Sequence, residues 1–271
     1  MSENGNQATA AGVTSQSAAS NGGVKAGSSF GDVVRGVFQV TDEDRERRRE
    51  RLERETAELM RAEAEERRIR KIEALRARSG VPMRFAGNPE RGIAAVSFEA
   101  FQERNDSLRR AKAQIVDFVE SFDEMAKIGR SLILAGPAGT GKTMLACAAI
   151  LALCGRGKRA QYVKIGDMIR RIRAAWRSEG GETELEILRE LRSADLLVID
   201  EIGVQYGTEG EAVHTFDVID GRYQDVRPTI VITNCTPEEL QRFLDARVID
   251  RLRENGGRMI KFDGTSARGG V

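Results

Sequence analysis

From Ser131 onward, short apolar runs alternate with longer stretches of helical spacing: SLILAG, KTMLACAAILALCG, AQYVKI, two charged helical stretches, DLLVID, EAVHTFDVIDGRYQDV, PTIVITN, PEELQRFLDARVIDRLREN and RMIKFD. Strand-like and helix-like segments in alternation predict βαβ units and a parallel sheet. LLVID and TIVIT are continuously apolar instead of alternating, as strands covered by helices on both faces require.

Residues 41–78 follow a different rule. They contain no Gly or Pro and are dominated by strong helix formers, with Thr41 and Asp42 available as N-caps and Gly80 as a stop, which predicts one long, highly charged helix. Its apolar positions, Leu52, Leu59, Ala62, Ile69 and Ile72, recur in steps of seven and three and fall on a narrow stripe. Two readings stand side by side: a solvated helix carried by Glu to Arg pairs, or a helix whose stripe docks a partner. Residues 1 to about 29 are Ser, Gly, Ala, Asn and Gln with almost no large apolar side chain, too little to offset the entropy of ordering. A disordered tail is expected over 1–40, a helical docking region over 41–79 and one main domain over 80–271.

Composition adds mainly exclusions. The 271 residues carry a net charge of only +1 although 31% are charged, so bulk charge names no partner. Cys147, Cys154 and Cys235 lie far apart without a CxxC pair, and His214 is the one histidine, which gives neither a zinc spacing nor a disulfide framework. No apolar run approaches the roughly 20 residues of a membrane span, and the N-terminus has no basic segment followed by an apolar one. A reducing, cytoplasmic compartment is the expectation.

The chemistry enters with Gly136-Pro137-Ala138-Gly139-Thr140-Gly141-Lys142-Thr143, a GxxxxGK[ST] match placed directly after a strand and opening a helix. The glycines let successive N–H groups and the positive helix end face an anion. Lys142 is then the cation for the β and γ phosphates of ATP, and the Thr143 hydroxyl is a ligand for Mg2+. A second buried strand ends in Asp200 and Glu201 at the edge where open α/β sheets bind ligands. Asp200 is the expected magnesium partner, and Glu201 the group that orients and deprotonates the attacking water. Taken alone, two acidic residues ending a strand are also turn formers. TIVITN ends in Thr233 and Asn234; Asn234 either hydrogen-bonds the γ phosphate or the water, or caps the helix starting near Pro237.

Four stretches, DLLVIDEIGVQ at 195–205, ITN at 232–234, RVIDRLRENG at 247–256 and SAR at 266–268, resemble the DnaC-type replicative helicase loaders within the larger group that includes the transposition helper IstB. SGVPMRF followed by SFEAF resembles the entry to that family's ATPase domain, so the resemblance runs from about Ser79 to the C-terminus. It implies an AAA+ core with a five-stranded parallel sheet in the order 5-1-4-3-2, an Asn at the first sensor position and an arginine finger acting on a neighbouring subunit's ATP. The finger matches Arg251, flanked by Arg247 and Arg253. The second sensor arginine matches Arg268, although Ala267 stands where the family has Tyr. A cation arriving only on assembly would make hydrolysis depend on oligomerisation.

The resemblance further implies a hexameric DnaB-type helicase as partner, gripped by an N-terminal helical region and held so that single-stranded DNA enters. Such loaders contact single-stranded DNA through a helical insertion after the second strand, which here reads DMIRRIRAAWRSEGG. Arg170, Arg171, Arg173 and Arg177 make it basic, and Trp176 offers a stacking face. The alternatives are a solvated basic face and a core tryptophan. The function expected is an ATP-dependent helicase loader in replication. An IstB-type helper acting on duplex DNA with a transposase is the nearest rival, against which the stop after SAR and the DEIGVQ run are weighed. A non-catalytic ATP-binding adaptor is the other.

Overall fold

The computed structural model describes residues 41–177, 181–203 and 209–266, so the expected tail and Arg268 lie outside the described residues. Those residues divide into two units, 41–60 and 61–266. Helix α1 (Asp42–Ala77) crosses the boundary. It begins on a reciprocal cap: Thr41 Oγ1 accepts from the Asp44 amide at 3.2 Å, and an Asp44 carboxylate oxygen accepts from the Thr41 amide at 3.3 Å. Arg49–Glu53 at 2.9 Å, Arg51–Glu55 at 2.8 Å and Arg70–Glu66 at 2.7 Å are among its pairs one turn apart. Each contributes a few tenths of a kcal/mol at best, about 0.3–0.5. None of the α1 residues is buried, and Leu52 and Leu59 are 55% and 61% exposed.

In the second unit, α2 (Met83–Ala86), α3 (Asp106–Glu120) and α4 (Phe122–Lys127) precede β1 (Leu132–Ala135). There follow α5 (Lys142–Gly155), β2 (Ala160–Lys164), α6 (Ile165–Ala175), α7 (Glu184–Ser193), β3 (Leu196–Ile202), α8 (Glu209–Gln224), β4 (Thr229–Thr233), α9 (Pro237–Phe243), α10 (Ala246–Arg253) and β5 (Arg258–Lys261). The strands are all parallel in the order β2-β3-β4-β1-β5, the expected 5-1-4-3-2 read from the other edge. One core lies between the sheet and α3–α5, built around Leu145, Ile150 and Phe262. The other lies between the sheet and α6–α10, around Ile133, Ile172 and Ile249. With helices on both faces, β1, β4 and most of β3 are buried at every position, which explains their unbroken apolar runs.

The segment PEELQRFLDARVIDRLREN, read as one helical stretch, is two helices. Leu244 leaves the helical conformation and the Asp245 carboxylate accepts from the Arg247 amide at 2.9 Å, starting α10 on its own cap. At the opposite edge of the sheet from the strand ends that carry Asp200, Arg222 is fully buried. Its guanidinium donates to the carbonyls of Leu191, Arg192 and Ala194 and to Thr229 Oγ1, at 2.8–3.0 Å. It thereby satisfies the open C-terminal carbonyls of α7 and ties them to the start of β4.

Candidate functional site

The carboxyl ends of β1, β3 and β4 and the N-terminus of α5 enclose a cleft of about 320 Å³, within the range of small-ligand sites. The loop between β1 and α5 forms its floor. Gly136 has φ 148°, and a Cβ there would stand 2.1 Å from the Phe262 carbonyl oxygen, so no other residue fits so close to β5. Gly139 has φ 79° and faces Ser266, which brings the chain two residues before Arg268 against the phosphate loop.

Lys142 Nζ folds back onto this loop, donating to the carbonyls of Gly136 at 2.6 Å and Pro137 at 2.7 Å. Burial pushes its ammonium down to about 8, partly opposed by Asp200. A desolvated ammonium at a helix N-terminus is a strong attractor for phosphate, whose charge restores what burial removes.

Asp200 is 4% exposed and held by three donors. Thr143 Oγ1 and Tyr162 OH each donate to its Oδ2 at 2.8 Å, and the Glu201 amide donates to its Oδ1 at 2.7 Å. Burial and the adjacent Asp200 push the Tyr162 phenol up, keeping it a donor. The convergence of the Thr143 hydroxyl on the Asp200 carboxylate is a hard oxygen pair of the kind Mg2+ prefers, with the remaining positions left to water and phosphate. The donor set therefore fits the expected ion.

Glu201 occupies a left-handed backbone conformation, φ 65°, and sits in a bulge: Ile199 pairs with Val231 and Ile202 with Thr233, so β3 spends one residue more than β4 between the two pairings. Bulges re-aim side chains at sites, and this conformation costs a non-glycine residue about 1 kcal/mol. Glu201 consequently lines the cleft beside Asp200, with Lys164 Nζ 2.6 Å from its Oε1. Tyr162 and Lys164 were not singled out in the sequence. The available signal was two polar-tipped residues at the carboxyl end of a strand otherwise read as apolar.

Asn234 is exposed and lines the same cleft. It does not cap the next helix: Thr236 does, in a capping box with Glu239, with Pro237 at the first helical position. Arg251 lies away from the cleft, ion-paired with Asp220 on α8 and stacked 5.2 Å from the Phe216 ring centroid and 5.4 Å from that of Tyr223. Arg247 and Arg253 are exposed.

The basic segment after β2 is largely neutralised by its own surroundings. Arg170 pairs with Asp167, and Arg171 with both Glu182 and Glu190, which raises the Arg171 guanidinium further. Arg173 also has a partner. Trp176 is not core: it is 59% exposed, donates its indole N–H to Glu184 at 2.6 Å and leans on the His214 ring at 5.6 Å. Among the described residues no helix is long and apolar enough to cross a membrane, and no group of His, Cys, Asp and Glu side chains forms a metal cluster.

Comparison with known proteins agrees with this arrangement. A family model described as IstB-like ATP binding protein matches residues 13–268. The replicative helicase loader DnaC of Escherichia coli K12 is 34% identical over 175 residues, 65% of this chain and 70% of its own. DnaC of Buchnera aphidicola subsp. Schizaphis graminum is 31% identical over 172 residues, 64% and 69% of the two chains. Among solved structures, the crystal structure of a DnaC helicase loader shares the fold with a TM-score of 0.56 and 24% identity, over 62% of this chain and 97% of that one. DnaA bound to AMPPCP and single-stranded DNA shares it at 0.54 and 21%, over 66% and 51%. With the phosphate loop, the paired strand-end carboxylates and the sheet order in place, the chain belongs to the IstB-like ATP binding protein family, as an AAA+ P-loop nucleotide-binding protein.

Proposed function

We propose that the chain is an ATP-hydrolysing loader of a DnaB-type replicative helicase, active on single-stranded DNA in the cytoplasm. Hydrolysis is supported by one geometry above all: Glu201 is turned into the cleft by its bulge, one residue beyond an Asp200 already hydrogen-bonded to Thr143. In this reading Lys142 and the amides of residues 136–143 bind the phosphates of ATP, and Thr143 and Asp200 hold Mg2+, which supplies charge neutralisation at the β and γ phosphates. Glu201 accepts the proton of the attacking water, and Asn234 fixes that water or the γ phosphate. Arg251 and Arg268 complete the site, Arg251 from a neighbouring subunit, so self-association through the ATP site is part of the proposal.

The loader role is supported by the relatives named replicative helicase loader DnaC. Helix α1, with Leu52 and Leu59 exposed, is the surface assigned to the helicase, residues 41–79 being the docking region and 80–271 the ATPase domain. Arg170, Arg171, Arg173 and Trp176 are assigned to single-stranded DNA, for which Arg170 and Arg171 must exchange their carboxylate partners for phosphate. The test is co-purification of the full chain with the cognate helicase hexamer in ATP and magnesium, compared with a Leu52→Glu, Leu59→Glu double variant. A complex lost in the variant supports the reading. If the unaltered chain forms none, the loader role fails and the ATP site stands. A transposition helper, which the family match also favours, would then be sought as ATP-dependent binding to duplex DNA.

A further inference from the structure

Three cations line the nucleotide cleft: Lys142, Lys164 and Arg84. Lys142 is bonded to carbonyls of its own loop, and Lys164 is committed to Glu201. Arg84, on α2, is exposed and enters no ion pair among the described residues. Its guanidinium carbon stacks 4.5 Å from the centroid of the neighbouring Phe85 ring. The stack restrains a long side chain that would otherwise sweep through solvent, and it covers one face of the ring, so this wall presents a cation to the cleft.

The position of α2 decides which end of a nucleotide that cation meets. The chain entering α2 runs beside β2: the Tyr162 amide donates to the Ser79 carbonyl at 2.7 Å, and Gly80, at φ 68°, is so close that a Cβ would stand 2.4 Å from the Tyr162 carbonyl oxygen. Tyr162 is the residue whose hydroxyl holds Asp200. Arg84 therefore approaches the cleft from the side of Thr143, Tyr162 and Asp200, where the metal and the terminal phosphate would sit.

We propose that Arg84 is a second cation for the terminal phosphate, supplied by the chain's own nucleotide cleft, so that a single chain discriminates ATP from ADP before any neighbour contributes an arginine. The inference rests on the ATP-binding reading of the cleft. Because Arg84 follows closely on the end of α1, it also gives the terminal phosphate a direct hold on the connection between α1 and the ATPase core.

The test is equilibrium displacement of a fluorescent nucleotide by ADP and by a non-hydrolysable ATP analogue, with magnesium, on the wild-type full chain and on Arg84→Gln and Arg84→Lys. A charge-assisted contact is expected to make Arg84→Gln bind the ATP analogue roughly tenfold more weakly and ADP less than about twofold more weakly. Arg84→Lys should recover part of the difference. Equal losses for both nucleotides, or none, overturn the proposal. Wild-type protein that binds neither nucleotide overturns the reading of the cleft itself. A second measurement needs no variant: trypsin cleavage after Arg84 in the wild-type chain should be slowed by the ATP analogue and not by ADP, and equal slowing by both counts against the assignment.

Discussion

The ammonium of Lys164 lies 2.6 Å from Oε1 of Glu201, joining the edge strand β2 to the carboxylate assigned to water activation. The pair holds the carboxylate oxygen against the ammonium instead of against the water it would orient, so the carboxylate must leave Lys164 before it can act. Both side chains are about two-fifths exposed, 38% and 46%, so the restraint is worth at most about 1 kcal/mol. Lys164→Met should accordingly raise basal ATP turnover roughly two- to fivefold. Glu201→Gln should lower turnover by roughly 10²-fold or more with nucleotide binding retained. Phosphate release and equilibrium binding, measured on the same preparations, check both. A fall in turnover for Lys164→Met would mean that the ammonium serves the reaction and does not restrain it.

Lys142 ties stability to pH with a definite sign. Its folded value of about 8 lies below the ordinary 10.5, so between those values the unfolded chain holds a proton that the folded chain has released. Nucleotide-free stability should therefore rise with pH across that window, while below about 8 the full cost of the buried charge is present. Lys142→Met, which keeps the apolar stem, should be more stable than wild type at pH 7 without nucleotide, by on the order of 1 kcal/mol, and should lose nucleotide binding. Its advantage should shrink by pH 10. Urea denaturation at the two pH values gives the answer, and an advantage independent of pH would locate the effect in packing.

The phosphate loop, the two strand-end carboxylates and the sheet order were legible in the sequence because each is written in contiguous residues: GxxxxGK[ST], an apolar run ending in Asp200 and Glu201, and strand and helix patterns in alternation. What the sequence hid is pairing across distance. Nothing near Arg171 reveals that Glu182 and Glu190 converge on it, and nothing near Arg251 points to Asp220. Charge is visible in a sequence, whereas its neutralisation depends on the fold. Lys164 and Tyr162 carry no motif of their own; their place at the carboxyl end of β2, where the fold gathers ligands, is what brings them to the site. The cap at Thr236 is legible locally, since Thr-Pro-Glu-Glu is a capping box with Pro at the first position, and it leaves Asn234 free to face the cleft.

Arg222 carries structural weight that composition does not disclose. Its removal would take the Arg222 donors away from the carbonyls of Leu191, Arg192, Ala194 and Pro228 and from the Thr229 hydroxyl. Each such orphan costs about 1–3 kcal/mol. Arg222→Ala should destabilise the domain by at least about 3 kcal/mol, and Arg222→Lys, with one point of charge in place of a planar fork, should recover only part. Chemical denaturation of the two variants measures it. A loss within about 0.5 kcal/mol would mean that water replaces the guanidinium.

The placement of Arg251 sets a test of action between subunits. On its own chain the guanidinium is paired with Asp220 and flanked by Phe216 and Tyr223, outside the cleft that contains Glu201. If it serves a neighbour's nucleotide, Arg251→Ala and Glu201→Gln damage opposite sides of one shared site. Each alone should lose assembly-dependent hydrolysis by roughly 10²-fold or more, within the range over which such arginines act. Mixed in equal amounts, the two proteins form some interfaces in which the Glu201 of one chain faces the Arg251 of the other, and those interfaces are intact. Turnover should then recover to a fraction of wild type set by how often they form. Recovery on mixing requires supply in trans. Its absence, in mixtures shown by sedimentation to co-assemble, would leave Arg251 as a residue that holds α10 to α8 and would turn the search for the finger to Arg247 and Arg253.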